Sequence, residues 1–251
     1  MTPDIAFAFA AIAAAIAVGT GKGGVPMIGM LSVPIMSLVM PPIAAAGLLL
    51  PVYVVSDMFG VWAYRSEFSK RNLAILLPAA TVGTGIGWAT ASVVTDAFVA
   101  LLVGLIGVAF CLNRWIGRAG GAARPAGVAR GLFWGTVAGF TSFVTHAGGP
   151  PFQMYVVPQR LPKMMFAGTS VLFFATINAL KLVPYWHLGQ LSASNFKIAA
   201  MLLPVAIAAT FMGVKLTRIV PEAMFYRLVV TALFLLSLKL TFDGGRQVFG
   251  L

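Results

Sequence analysis

The chain has 251 residues, of which 60% are hydrophobic and only 9% are charged, with a formal net charge of +11. A soluble domain carries about 25% charged residues, so the composition excludes that class and predicts an integral membrane protein. Apolar stretches of roughly 20 residues, the length that spans a bilayer as a helix, follow one another along the chain. The predicted fold class is therefore an all-α polytopic membrane protein.

The apolar segments are bounded by charged residues or by Pro/Gly breaks. In chain order they cover residues 5–20, 23–40, 42–64, 72–91 and 96–115, then 131–145, 148–159, 162–186, 196–216 and 222–242. We predict a first transmembrane repeat over 1–116, a basic cytoplasmic linker over 117–130 and a second transmembrane repeat over 131–251. The total is about 8–10 membrane segments, because the first two segments of each half, joined by glycines, either span fully or are re-entrant.

The two halves resemble each other at single residues. The stretch 22-KGGVP-26 corresponds to 146-HAGGPP-151, and Asp57 corresponds to Asn178. Further pairs are Pro34 and Pro158, 46-AG-47 and 167-AG-168, Tyr64 and Tyr185, 76-LLP-78 and 202-LLP-204, Gly87 and Gly213, and Asp96 and Glu222. This likeness predicts an internal repeat.

Basic residues predict which loops are cytoplasmic. They occur in four connections: Arg65, Lys70 and Arg71; Arg114, Arg118, Arg124 and Arg130; Arg160 and Lys163; Lys215, Arg218 and Arg227. The alternate connections near 40–43, 91–96 and 187–195 contain no Lys or Arg. The positive charge is therefore assigned to membrane topology rather than to a nucleic-acid partner. Because equivalent loops of the two halves then face opposite sides, we predict an inverted-topology repeat, which is typical of secondary transporters.

Lys22 lies in a glycine-rich break, 20-TGKGG-24, between two apolar runs. Broken helices inside a membrane need a polar cavity to satisfy their backbone groups. We predict an anion site in which Lys22 and His146 supply charge and the helix starts at Gly23, Gly24, Gly148 and Gly149 supply backbone donors. The alternatives are a snorkelling Lys22 at the membrane surface and a neutral His146 bonded to a neighbouring helix. On this prediction, Lys22→Ala abolishes transport and leaves the folded protein intact.

Asp57 lies eight residues before Arg65, about 12 Å deep at the helical rise. It is a candidate for proton coupling or a fixed partner of Lys22. Its counterpart Asn178 is a further candidate for substrate binding and cannot titrate. Lys181, one turn later, is either a second cationic contact or a residue that snorkels outward, and snorkelling is the preferred interpretation.

Motifs of other functional classes are missing from the sequence. There is no HExxH, there are only two histidines, His146 and His187, and Cys111 is the single cysteine. A membrane enzyme, a bound metal and a cofactor are therefore not predicted. The run 83-GTGIG-87 is interpreted as close helix packing rather than a phosphate-binding loop.

The glycine-proline pattern resembles the TauE/SafE family of sulfite exporters, also called TSUP. The resemblance rests on 21-GKGGVP-26, Pro34 and 46-AG-47, then on 146-HAGGPP-151, Pro158 and 167-AGTS-170. It covers nearly the whole chain, although Lys22 interrupts what is often a longer all-glycine stretch in the family. The resemblance implies an inner-membrane protein, bacterial or archaeal in most members, that moves sulfite, sulfonates or related sulfur anions, with outward transport expected.

The combined prediction is a multi-pass secondary transporter of a small sulfur-containing anion that works by alternating access around a midplane site, with proton coupling as an option. A passive anion channel and a transporter of a non-sulfur organic anion are the alternatives. The predicted partners are the anion and the lipid bilayer. The sequence does not determine the oligomeric state, and a homodimer stays open.

Overall fold

A computed structural model describes residues 3–91, 93–116, 123–189, 191 and 193–250, and the regular structure within these ranges is helical. The helices are α1 (Pro3–Lys22), α2 (Pro26–Gly29), α3 (Ser32–Met36), α4 (Pro42–Tyr64), α5 (Lys70–Ala89), α6 (Asp96–Ile116), α7 (Val128–Thr145), α8 (Gly149–Val156), α9 (Lys163–His187), α10 (Ala193–Ile219) and α11 (Glu222–Phe249). Six of them, α1, α4, α5, α9, α10 and α11, are long and apolar enough to cross a membrane. The predicted class, an all-α polytopic membrane protein, is confirmed.

The segment predicted over 23–40 consists of two short helices, α2 and α3, joined by turns. Pro26 and Gly24, whose φ is +102°, interrupt regular helix at its start, because glycine alone adopts such a backbone without steric cost. The segment runs back along α1: Gly29 packs against Gly21, and Met36 belongs to the same buried cluster as Ala11. The first two segments of this half therefore form a helical hairpin.

The second half contains a similar hairpin made by α7 and α8. After α8 a short 3₁₀ turn covers Val157–Gln159. The Tyr155 hydroxyl donates to the Gly127 carbonyl over 3.3 Å, and the Arg124 amide donates to the Pro158 carbonyl over 3.0 Å. These bonds place the end of α8 beside the residues that precede α7, so α8 also returns along the helix before it.

The chain forms two compact units. Unit 1 comprises Met1–Ser69 and Met164–Val220, and unit 2 comprises Lys70–Lys163 and Pro221–Leu251. Each unit therefore contains helices from both predicted repeats. In unit 1, α1 from the first half packs on α10 from the second half. In unit 2, α7 from the second half packs on α5 from the first half. A repeat would produce this exchange, and both the repeat and its boundaries at 116 and 131 stay predictions.

Small residues allow the helices to approach closely, as is usual in membrane proteins. In unit 1 a Cβ on Gly19 would lie 2.0 Å from the Ala206 carbonyl oxygen of α10. In unit 2 a Cβ on Gly83 would lie 2.0 Å from the Thr136 carbonyl oxygen of α7. The interpretation of 83-GTGIG-87 as a packing motif is confirmed for Gly83 and Gly87, whereas Gly85 faces open space.

Candidate functional site

Lys22 is the last residue of α1, and the turn after it is closed by its own backbone. The Gly23 amide donates to the Gly19 carbonyl over 2.8 Å, and the Gly24 amide donates to the Gly21 carbonyl over 3.2 Å. The prediction that these two amides are open donors for an anion is therefore wrong in this conformation, because they cap the end of α1. The helix that follows, α2, has only four residues, so it is too short for its N-terminus to form an anion site.

Two hydroxyl groups hold the turn in place. The Gly23 carbonyl accepts hydrogen bonds from Tyr64 over 2.8 Å and from Thr217 over 3.3 Å. Tyr64 and Thr217 are fully buried, and they belong to α4 and α10. Lys22 is thus fixed by three helices of unit 1, and its backbone carbonyl also faces Gly60 of α4, where a Cβ would lie only 2.5 Å away.

The Lys22 ammonium pairs with Asp57. Its Nζ lies 2.8 Å from Oδ1 and 3.0 Å from Oδ2 of the carboxylate. The side-chain amide of Asn178 donates to Oδ2 over 2.8 Å. All three residues are buried, with Lys22 only 8% exposed, which does not fit a snorkelling lysine at the membrane surface. Of the two roles predicted for Asp57, the structure shows the partner of Lys22, and proton coupling stays a prediction.

Lys181 is a second buried cation beside this pair. It lies on α9 one turn after Asn178, and its exposed fraction is only 1%. The charges of Lys22 and Asp57 act on it electrostatically. The preferred interpretation of Lys181 as a snorkelling residue is therefore wrong. Periodicity could not reveal this, because an apolar helix end with one lysine looks the same whether the lysine reaches a headgroup or a cavity.

Tyr53 completes the group that we call the Lys22 cluster: Lys22, Tyr53, Asp57, Asn178 and Lys181. The Lys22 ammonium lies 5.0 Å from the centroid of the Tyr53 ring, within the range of a cation–π contact. The Tyr53 hydroxyl is hydrogen-bonded to Ser32 of α3. The cluster is enclosed by α1, α4 and α9, and it holds two lysines against one carboxylate. A small anion is the ligand that such an excess of positive charge attracts.

The remaining predicted residues, His146, Gly148 and Gly149, lie in unit 2. His146 ends α7 in the left-handed conformation, with φ 55°, which is uncommon for a residue with a side chain. Gly148 caps α8 and Gly149 is its first residue, so the Gly149 amide has no acceptor within its own helix. Because Lys22 lies in unit 1, the convergence of the two glycine-rich turns on one site stays a prediction.

Gln153 of α8 was missed in the sequence. Its side chain is 1% exposed, and its Oε1 accepts no hydrogen bond from any residue that the structure describes. Nearby, Asn72 and Gln159 satisfy each other through two side-chain bonds of 2.9 and 3.1 Å. Buried amide oxygens are rarely left without a donor. The signal that could have found Gln153 is an amide side chain in an otherwise apolar returning segment.

The comparison with family descriptions gives a match over almost the whole chain. The family described as Sulfite exporter TauE/SafE matches residues 6–240. The match includes both hairpins and every residue of the Lys22 cluster. Neither the curated proteins nor the solved structures give a match to the chain. Since the family match extends far beyond half of the sequence, the chain is a multi-pass membrane protein that belongs to the TauE/SafE sulfite exporter family.

Proposed function

We propose that the protein is a secondary transporter that exports a small sulfur-containing anion, such as sulfite or an organosulfonate, across a prokaryotic inner membrane. The family supplies the transporter class and the sulfur chemistry. The observation that carries the proposal for this chain is the Lys22 cluster, in which two buried lysines face a single carboxylate. Ionisable groups inside a membrane protein are costly and mark substrate or ion pathways.

On this proposal the two lysines have different tasks. Lys22 already has a partner, since both oxygens of Asp57 lie within 3.0 Å of its ammonium. Lys181 makes no hydrogen bond or ion pair within the described ranges, and its exposed fraction is 1%. Lys181 is therefore the cation that an incoming anion neutralises first. Lys22 contacts the same anion once Asp57 releases it.

Asp57 couples transport to protons on this proposal. A proton on the carboxylate removes its attraction for Lys22, which frees the ammonium for the anion. Release of the proton on the other side of the membrane restores the pair and expels the anion. The alternating exposure of the cluster to the two sides follows the mechanism that inverted repeats support, with the turn at Gly23 and Gly24 carrying Lys22.

Transport by the full chain in proteoliposomes tests this function. We expect saturable uptake of sulfite, thiosulfate or a small sulfonate such as sulfoacetate, faster with an imposed pH gradient. Lys181→Met should reduce the rate at least tenfold, because a neutral side chain cannot balance the buried anion. Lys197→Met is the matched control, since Lys197 also lies in a transmembrane helix but is exposed.

The same assay distinguishes the alternatives. Flux that does not saturate and does not depend on the pH gradient would indicate a passive channel. Uptake of carboxylates in preference to all three sulfur anions would indicate another organic anion. If Lys181→Met transports at the wild-type rate, the anion site does not include the Lys22 cluster.

A further inference from the structure

We infer that the Lys22 cluster binds one net negative charge in each transport cycle: a monovalent anion alone, or a divalent anion together with one proton on Asp57. This inference rests on the proposed function and adds the charge class of its substrate. It is carried by the charges that the structure buries together. It does not depend on which sulfur anion is transported.

The charge of the cluster follows from the groups that face Asp57. α1 contributes Lys22, α4 contributes the neutral Tyr53, and α9 contributes Asn178 and Lys181. α10 also packs on α4; its sequence contains no Asp or Glu, and its basic residues, Lys197, Lys215 and Arg218, are not among the charges that act on Asp57. With both lysines and the carboxylate ionised, the cluster has a net charge of +1. With a proton on Asp57 the cluster becomes +2.

An anion of matching charge is required because the cluster is enclosed. Lys181 is 1% exposed and Asp57 is 3% exposed, so water does little to screen an unbalanced charge there. An uncompensated charge in such a place is strongly unfavourable. A monovalent anion neutralises the +1 cluster. A divalent anion leaves one negative charge in excess, and the carboxylate of Asp57 can remove it by taking up a proton.

The geometry of the ion pair explains how Asp57 can accommodate either a monovalent or a divalent anion. Lys22 is held by both oxygens of Asp57, while Asn178 donates to Oδ2. Protonation of Oδ1 leaves Oδ2 to accept from Asn178, so the carboxyl group keeps one partner. It also frees the Lys22 ammonium, so that both lysines can contact the second charge of the anion.

Two anions whose valence does not change near neutral pH test the inference. Methanesulfonate is monovalent and thiosulfate is divalent. Their binding to the purified full chain in detergent can be measured by isothermal titration calorimetry in buffers of different ionisation enthalpy, which also reports proton uptake. For the wild-type protein we expect thiosulfate to bind with the uptake of about one proton more than methanesulfonate, and Asp57 takes up that additional proton.

Variants shift the charge of the cluster in opposite directions. Asp57→Asn fixes the charge at +2, so the ratio of the methanesulfonate Kd to the thiosulfate Kd should rise at least tenfold, and proton uptake should disappear. Lys181→Gln lowers the charge to zero and should weaken thiosulfate binding more than methanesulfonate binding. Lys197→Gln, at an exposed position of α10, should leave the ratio unchanged.

The outcomes separate the two proposals. If neither anion binds the wild-type protein, the anion site of the proposed function fails. If both anions bind but thiosulfate takes up no more protons than methanesulfonate, or the Kd ratio is the same in Asp57→Asn as in the wild type, the charge rule is overturned while the anion site stands. If Asp57→Asn does not fold, the proton uptake of the wild type and the Kd ratio of Lys181→Gln decide the matter.

Discussion

Replacing Lys22 by methionine is expected to lower the free energy of unfolding by about 3–5 kcal/mol, because it leaves the carboxylate of Asp57 buried without its cation. Asp57 is only 3% exposed and has one remaining hydrogen-bond donor, Asn178. The loss should appear as a lower midpoint of thermal or denaturant unfolding of the detergent-purified protein. Transport should be abolished as well.

The double variant Lys22→Met/Asp57→Asn is the control for this prediction. It removes both charges, and an asparagine at position 57 can still bond to Asn178. Most of the lost stability should return, since replacing both partners of a buried pair is far less costly than removing one. Transport should stay absent, because the double variant still lacks the Lys22 ammonium. Equal stability of the single and double variants would show that the unpaired carboxylate of Asp57 is not the cause of the loss.

This expectation differs from the one that the sequence supports. From the sequence, Lys22→Ala should leave the folded protein intact, because Lys22 sits in a glycine-rich break and pairing with Asp57 is only one of two roles open to that carboxylate. The structure places Asp57, 35 residues later, within 3.0 Å of its ammonium. A contact between two transmembrane helices depends on how the helices rotate and pack, which apolar periodicity does not encode. Function and stability are therefore linked at this residue.

The sequence predicted the helices well because membrane spans follow a simple physical rule. A backbone in lipid must satisfy its own hydrogen bonds, so about 20 apolar residues mark a helix. The predicted segments 42–64 and 162–186 correspond to α4, Pro42–Tyr64, and α9, Lys163–His187. The segment 23–40 was less well predicted, since a turn at Gly23 and Gly24 and another at Met30 and Leu31 leave helices of only four and five residues, too short for a hydrophobic pattern to resolve.

Part of the site could also be predicted from the sequence. Asp57 and Asn178 were paired by aligning the two halves, and in the structure the Asn178 amide donates directly to Asp57 over 2.8 Å. Equivalent residues can meet when they lie near a two-fold axis, and the repeat itself stays a prediction. Lys181 and Gln153 could not be assigned in the same way, because their burial depends on neighbouring helices rather than on their own sequence surroundings.

Replacing Gly24 by alanine is expected to lower the free energy of unfolding by about 2–5 kcal/mol, from backbone strain and overpacking together. The φ of Gly24 is +102°, a conformation that a residue with a Cβ rarely adopts, and the added Cβ would lie 2.2 Å from the Tyr64 hydroxyl oxygen. Tyr64 must then move, which breaks its hydrogen bond to the Gly23 carbonyl. The turn that carries Lys22 would lose its main anchor.

Gly85→Ala provides the matched control. Gly85 is a glycine of the transmembrane helix α5, but a Cβ there would meet nothing within 4 Å, and alanine favours helix over glycine by about 1 kcal/mol. Gly85→Ala should therefore be as stable as the wild type or slightly more stable, with normal transport, when both variants are compared by thermal unfolding and proteoliposome uptake. Because the Gly24 turn links α1 to the hydroxyls of α4 and α10, its disruption should affect anion transport and stability together. If Gly24→Ala has the wild-type transport rate and the wild-type stability, Lys22 is positioned by its ion pair with Asp57 alone.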